Sequence, residues 1–319
     1  MTSRFVAAAL CAGAAMLAPQ AANAQIGAEC DEACLTGMMD AYFDALVAHD
    51  SGPLTLSHDI KYMENGVRLA LTDGLWNTVR AQPTYRFDIA DPVNGEVAAL
   101  AIIDENGNQN NIAVRLRVEN RRITEIENLV VRNISMGGGG DSGAFVSEER
   151  TQVLPIFLRT EPEASRVPRH ELQEAADRYF RGIESEVTAD ATPFHPDCQR
   201  MENNSWTSNS PDGGSNEMAK LDCAAQFDTG FQTIVTNIRA RRFPVIDEER
   251  QLVFAMGFFD HSGTVPAYAE PSGEQQVANG AFAQPFSFII AEVFKLEDGQ
   301  IRQVEAVLTT VPYGMPSGW

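Results

Sequence analysis

From Leu35 to His49 the apolar positions Leu35, Met38, Met39, Tyr42, Phe43 and Leu46 recur at helical spacing, which predicts an amphipathic helix. The period then changes from helical to alternating. Tyr85–Ala90, Glu96–Asp104, Asn111–Glu119 and Arg122–Arg132 read as strands, with Asn106-Gly107 as a hairpin turn. In the third of these, Val114, Leu116 and Val118 fall on one face, and Arg115 and Arg117 on the other.

The same order recurs later. ELQEAADRYFRGIESE, Glu171–Glu186, repeats the helix, with Asp177, Tyr179 and Phe180 matching Asp40, Tyr42 and Phe43. HDIKYMENGVRLALTDGLW, His58–Trp76, is echoed from His195 to Phe231: both copies carry a histidine, an aspartate, Met-Glu-Asn, and an aspartate before a bulky aromatic. Arg242-Phe243 matches Arg86-Phe87, and Val253–Asp260, Phe288–Leu296 and Ile301–Thr310 match the later strands. Each half therefore reads as a helix, short helices, and then a long antiparallel sheet, an α+β pattern. The second half has two insertions, near Asn203–Asp222 and Thr264–Pro285.

The predicted boundaries are residues 1–24 as a signal peptide, 29–135 as a first domain, 136–168 as a linker and 169–319 as a second domain. Arg4, the apolar run Phe5–Leu17 and Ala22-Asn23-Ala24 have the form of a cleaved secretory signal, too short to anchor in a bilayer. The chain is expected in a periplasm or outside the cell, with no membrane association. GGGGDSG reads as a flexible joint, and Val153–Leu158 as an extended strap.

Charge narrows the partners. The 319 residues carry a formal charge of −20 and only three lysines, Lys61, Lys220 and Lys295, which argues against nucleic acid. After Cys11 leaves with the signal, four cysteines remain. Of the three possible pairings, Cys198–Cys223 and Cys30–Cys34 keep each bridge within one half. No metal site is expected, since the cysteines lack histidines at ligand spacing. P-loop, Rossmann and nucleophile-elbow patterns are missing from the sequence.

A helix followed by a bent antiparallel sheet in about 120 residues resembles the nuclear transport factor 2-like superfamily, which includes ketosteroid isomerases, polyketide cyclases and scytalone dehydratases. The MEN…GLW stretch and the ending VPYGMPSGW also resemble an uncharacterised secreted family of bacteria and fungi. The resemblance implies two tandem cone-shaped domains, each with helices over the concave face of a curved sheet and a ligand pocket inside. No catalytic residue transfers from the isomerases, because their Asp–Tyr set has no residue-by-residue match here. We expect the halves to pack as an internal pseudo-dimer, since each would otherwise expose an apolar sheet face.

Candidate chemistry follows from what such a pocket needs. Glu64, Glu127 and Tyr42 are the candidate catalytic residues, because a carboxylate on an apolar face gains a raised pKa and can move a proton. Asn65, Trp76, Arg115, Arg117, Tyr313 and Trp319 are the candidate substrate contacts. Tyr179, Glu202, Asn203 and Glu305 are the second-half counterparts. For each there is a structural alternative: Tyr42 and Trp76 as core, Glu127 as half of an ion pair with Arg115 or Arg117, and His58, His195, Asp73 and Asp228 as caps or turns. His261 reads as a solvated turn. The set requires no cofactor. Two functions remain open, a cofactor-independent lyase, isomerase or dehydratase acting on a small, partly aromatic molecule, and a non-catalytic ligand-binding or scaffold protein. A buried glutamate in an open pocket favours the first. A cone filled by its own aromatic side chains favours the second.

Overall fold

The computed structural model describes residues 30–132, 150–184, 192–211, 217–269, 274–278 and 280–319. The expected signal segment, 1–24, and the GGGGDSG stretch expected as a joint lie outside them.

The first half begins with helix α1, Glu32–Ala48, whose N-cap Asp31 accepts the Cys34 backbone N–H. Leu35, Met39, Tyr42, Phe43 and Leu46 are fully buried, as the helical spacing requires. The strands are β1 Leu56–Glu64, β2 Val67–Arg68, β3 Val79–Asp91, β4 Glu96–Glu105, β5 Asn108–Glu119 and β6 Arg122–Val131, in the order β2-β1-β6-β5-β4-β3. All neighbours are antiparallel except β1 and β6, which run parallel. The expectation of short helices after His58 is corrected: the chain is extended to Glu64, and only Gly74–Asn77 forms a helical turn.

The joining segment contains α2, Pro155–Leu158. This short helix replaces the expected extended strap, and its Phe157 is fully buried. The second half repeats the first with α3 Arg169–Glu184, β7 Phe194–Glu202, β8 Ser205–Ser208, α4 Glu217–Lys220, α5 Cys223–Asp228, β9 Asn237–Asp247 and β10 Leu252–His261. The strands β11 Ala267–Ala269, β12 Gln275–Val277, β13 Phe286–Glu297 and β14 Gln300–Val311 complete it. Its large sheet has the matching order β8-β7-β14-β13-β10-β9. The chain is thus an α+β protein of two tandem cone-shaped units.

Each helix packs on one face of its own sheet, giving one core per half. The other faces of the two sheets meet in a third core, where Phe87, Leu100 and Leu129 join Phe254, Met256 and Val307 around Phe157. Polar contacts pin this junction: Asp91 takes the guanidinium of Arg169 and the Ile246 N–H, the latter at 3.0 Å. The sequence match of Arg86-Phe87 with Arg242-Phe243 fails in side-chain direction. Phe87 faces the junction while Phe243 packs in the second half's own core, because the β9–β10 register shifts by one residue between Val245 and Arg242.

Both disulfides are present. Cys198–Cys223 joins β7 to α5, and Cys30–Cys34 spans Cα atoms 5.2 Å apart. Cys30 precedes the Asp31 cap, so this bridge does not have to link two residues inside one helix.

Candidate functional site

The two Met-Glu-Asn motifs close the ends of β1 and β7, and their asparagines act on backbone. Asn65 adopts φ 47° and Asn203 φ 46°, a region asparagine tolerates. The Asn65 amide donates to the Val130 carbonyl and accepts the Val130 N–H, at 3.0 and 2.7 Å. Asn203 does the same with Leu308, at 2.9 and 3.0 Å. Asn65, the expected substrate contact, and its counterpart Asn203 thus both bond a neighbouring strand's backbone.

The first cone is filled. Tyr42 is wholly buried with its hydroxyl 3.1 Å from Asn128 Oδ1 and its ring edge-on to Trp76, itself 2% exposed. Glu64 accepts the Leu75 N–H at 2.9 Å and pairs with Arg132 at 2.7 Å. Arg132 also binds Glu105, which holds Asn110 at 2.7 Å. Gly74 has φ +61°, and a β-carbon there would collide with the Glu64 carboxylate.

Glu127 points away from this cone. On β6, Ile126 and Val130 face α1, whereas Glu127 and Leu129 face the other sheet. Glu127 pairs with Arg115 at 2.9 Å and with Arg242 of the second half at 2.6 Å. Burial alone would raise its carboxyl, but Arg242 and Arg115 outweigh that and hold it below the usual carboxylate range. The expected raised pKa is therefore corrected. Glu305 is placed likewise, taking the Tyr85 hydroxyl and Arg150, each at 2.8 Å. Arg115 is buried among Glu96, Glu125 and Glu127, and Arg117 is part-exposed beside Glu119. The Trp319 ring crosses to this junction, with Lys61 Nζ 3.5 Å from its centroid, while Tyr313 is half exposed. Of the first-half candidates, Tyr42, Glu64 and Trp76 come together in the interior of the first half, and Glu127 and Arg115 come together at the junction.

The second half holds an open cavity of about 450 Å³ in the corresponding place. Strand register shows why. Glu64 pairs with Asn128 and Asn128 with Val114; the same row on the second sheet is Glu202, Ala306 and Glu292. Arg200, paired with Val304, takes the place of Tyr62, paired with Ile126. His261, paired with Phe286, takes the place of Glu105, paired with Asn108. Exchanging Asn128 for alanine removes the partner that holds the tyrosine. The histidine stands where Glu105 forms one of the two carboxylate pairs of Arg132. What remains is a hollow lined by Tyr179, Arg200, Glu202, His261 and Glu292, with Phe227, Phe231, Phe259, Phe282 and Phe288 as walls. The insertions supply Trp206, Thr207 and Met218 at the mouth.

Glu292 is 1% exposed, and its Oε2 has no hydrogen-bond partner among the described residues. Burial pushes its carboxyl up to about 8, against the pull of Arg200. Arg200 is bound by Glu202 and by Gln226 Oε1 at 3.0 Å, and its Nε has no partner among the described residues. The Tyr179 hydroxyl is raised by burial. His261 is 2% exposed, stacked on Phe286 at 4.3 Å, and burial pulls it down to about 4, leaving a neutral imidazole near pH 7. It is a buried ring on the cavity wall, which corrects the expectation of a solvated turn. Of the candidates named from sequence, Tyr179 and Glu202 belong to this cavity; Arg200, His261 and Glu292 were missed. The available signal for Glu292 was an ionisable residue inside the apolar run FIIAEVF, where the first half has Val114.

No group of three or more potential metal ligands occurs among the described residues. No described helix is long and apolar enough to cross a membrane.

A family profile described as a domain of unknown function (DUF8021) matches residues 29–130 and 165–308. No curated protein matches the chain. A solved structure from Xanthomonas campestris pv. campestris, provisionally described as a polyketide cyclase, is 18% identical over 30% of this chain and 90% of its own, with a TM-score of 0.27. AclR from Streptomyces galilaeus, provisionally described as a hydroxylase, is 13% identical over 46% of this chain and 83% of its own, with a TM-score of 0.28.

Proposed function

The chain belongs to the DUF8021 family, and from that premise we propose that it is a secreted, cofactor-independent lyase, isomerase or dehydratase whose active site is the second-half cavity. In this reading the two units are nuclear transport factor 2-like cones, of which the first is a packed partner and the second binds a small, partly aromatic molecule. The observation that carries it is Glu292: a buried carboxyl, with no partner on Oε2 among the described residues, on the wall of an open aromatic cavity. A carboxyl poised at about 8 exchanges protons near neutral pH, which suits a general acid or base. Arg200 is the group suited to stabilise an enolate or similar oxyanion formed beside it. Secretion is supported by two disulfides, which persist in oxidising compartments.

The test is turnover. The oxidised protein would be incubated with aryl-propanoid and polyketide-like compounds and the products followed by mass spectrometry. Glu292→Gln is expected to lower kcat by roughly 100-fold or more while the fold is kept. A second reading, a non-catalytic ligand-binding protein, is favoured by the first cone, whose Tyr42, Tyr62 and Trp76 side chains are buried in its own core. Ligand binding without turnover of any compound, with Glu292→Gln binding unchanged, would put that reading in place of ours.

A further inference from the structure

We infer that the second-half cavity takes an aromatic ligand bearing a primary ammonium group, whose N–H donors meet Glu292 and Gln232. This rests on that cavity being the ligand site. Three buried acceptors without a hydrogen-bond partner among the described residues line the cavity: Glu292 Oε2, Gln232 Oε1 and the Thr207 hydroxyl, which can donate as well as accept. The Gln232 amide is oriented by its Nε2, which donates to the Phe227 carbonyl at 2.6 Å, so its oxygen is the free end. Buried acceptors without donors are costly, and a ligand that supplies N–H groups removes the cost.

Charge points the same way. Among the residues lining the cavity, Arg200 is the only cation, and Glu202 already pairs with it. The other titratable groups facing Glu292 are Tyr179 from α3 and His261 from β10, both neutral near pH 7. Glu217 of α4 adds a further carboxylate at the mouth. With Glu292 ionised the floor therefore has one negative charge too many. Burial pushes the Glu292 carboxyl up to about 8, which favours its protonated form near pH 7 and removes that charge. A bound ammonium would resolve it instead, and the Glu292 proton would leave to solvent. Phe227, Phe231, Phe259, Phe282 and Phe288 present aromatic rings to the same space, a setting that favours organic cations. Arg200 Nε, a donor with no partner among the described residues, suits an acceptor such as a ring hydroxyl on the same ligand.

Three probes share one skeleton and differ in head-group charge: tryptamine, tryptophol and indole-3-acetate. Calorimetry at pH 7, in two buffers of different ionisation enthalpy, reads both affinity and proton release. Tryptamine is expected to bind about tenfold or more tighter than tryptophol, with nearly one proton released per ligand. Indole-3-acetate should bind weakest. Glu292→Gln should abolish the preference for tryptamine and its proton release while still binding tryptophol, which controls for folding. Tryptophol binding as tightly as tryptamine, an intact preference in Glu292→Gln, or no binding by any probe would each overturn the inference. If Glu292-dependent turnover were nevertheless found, the active site would stand and only the ammonium would fall.

Discussion

Glu292 occupies on the second sheet the position that Val114 occupies on the first: each is paired with an alanine of the preceding strand, Ala255 or Ala99, and with the residue opposite the motif glutamate, Ala306 or Asn128. One chain thus holds two versions of the same interior. In the first, an apolar residue and a tyrosine–asparagine bond close it. In the second, a carboxyl stands against a gap.

The first prediction concerns pH and stability. The Glu292 carboxyl rises from its ordinary 4.5 to about 8, so between those values the folded protein holds a proton that the unfolded chain has lost. Its contribution is fully present below 4.5 and is lost as pH rises through 8. His261, lowered from 6.5 to about 4, acts with the opposite sign, its contribution being present above 6.5 and lost as pH falls towards 4. Between pH 6.5 and 8 Glu292 therefore acts without opposition from His261. There the parent should lose about 2 kcal/mol relative to Glu292→Gln, at about 1.4 kcal/mol per pH unit for one proton. Urea denaturation of both proteins across that range checks it, and parallel curves would refute the protonated state.

A second prediction separates Glu127 from Glu292. Glu127 joins Arg115 of its own half to Arg242 of the other, and all three carry charge. Glu127→Ala takes from Arg242 the carboxylate it pairs with and from Arg115 one of three, at a buried junction, which should cost about 3–5 kcal/mol. The affinity of the second-half cavity for a ligand should stay unchanged. Loss of ligand binding at full stability would instead place Glu127 in the site.

The repeat, the two helices, the later strands of each half and both disulfides were legible because each depends on local period or on chemistry confined to a few residues. The parallel pairing of β1 with β6 was not, since it joins segments about sixty residues apart, a separation that local patterning does not encode. Glu127 was assigned to the wrong face for a related reason. Its neighbours Ile123 and Leu129 share a parity, but a register shift between Arg117 and Val118 puts Ile123 in the helix-side core and Leu129 in the junction. The second-half cavity was not legible in the repeat, which marks only what the two halves share. Glu292, Arg200 and His261 are places where the copies differ.

The Met-Glu-Asn motif supplies a third prediction. Its asparagine combines a positive φ with a two-bond clamp on a neighbouring strand. Asn65→Ala removes both bonds and forces an alanine into left-handed backbone, for a loss of about 2–3 kcal/mol. Asn65→Gly relieves only the backbone part and should recover about 1 kcal/mol of it. Thermal or urea melts of the two variants decide this; equal stability of parent and alanine variant would refute the clamp.

The last prediction exchanges the two interiors at one residue. Ala306 is fully buried between Glu202 and Glu292, where the first half has Asn128. Neighbouring strands are about 4.8 Å apart, so the two glutamates flank a gap of one side chain's width. Ala306→Asn fills that gap with an amide that can bond the Tyr179 hydroxyl as Asn128 bonds that of Tyr42. Stability should hold, because the added atoms enter open space and gain a hydrogen-bond partner. Tryptamine affinity should fall about tenfold or more, by loss of room and of contact with Glu292. The reciprocal change, Asn128→Ala, should cost about 1–3 kcal/mol through the stranded Tyr42 hydroxyl. It should not create a binding site in the first half, since Trp76, Tyr62 and the Glu64–Arg132–Glu105 network still fill that cone. Calorimetric titration of both variants reads the two effects together, and unchanged tryptamine affinity in Ala306→Asn would show that this row does not floor the cavity.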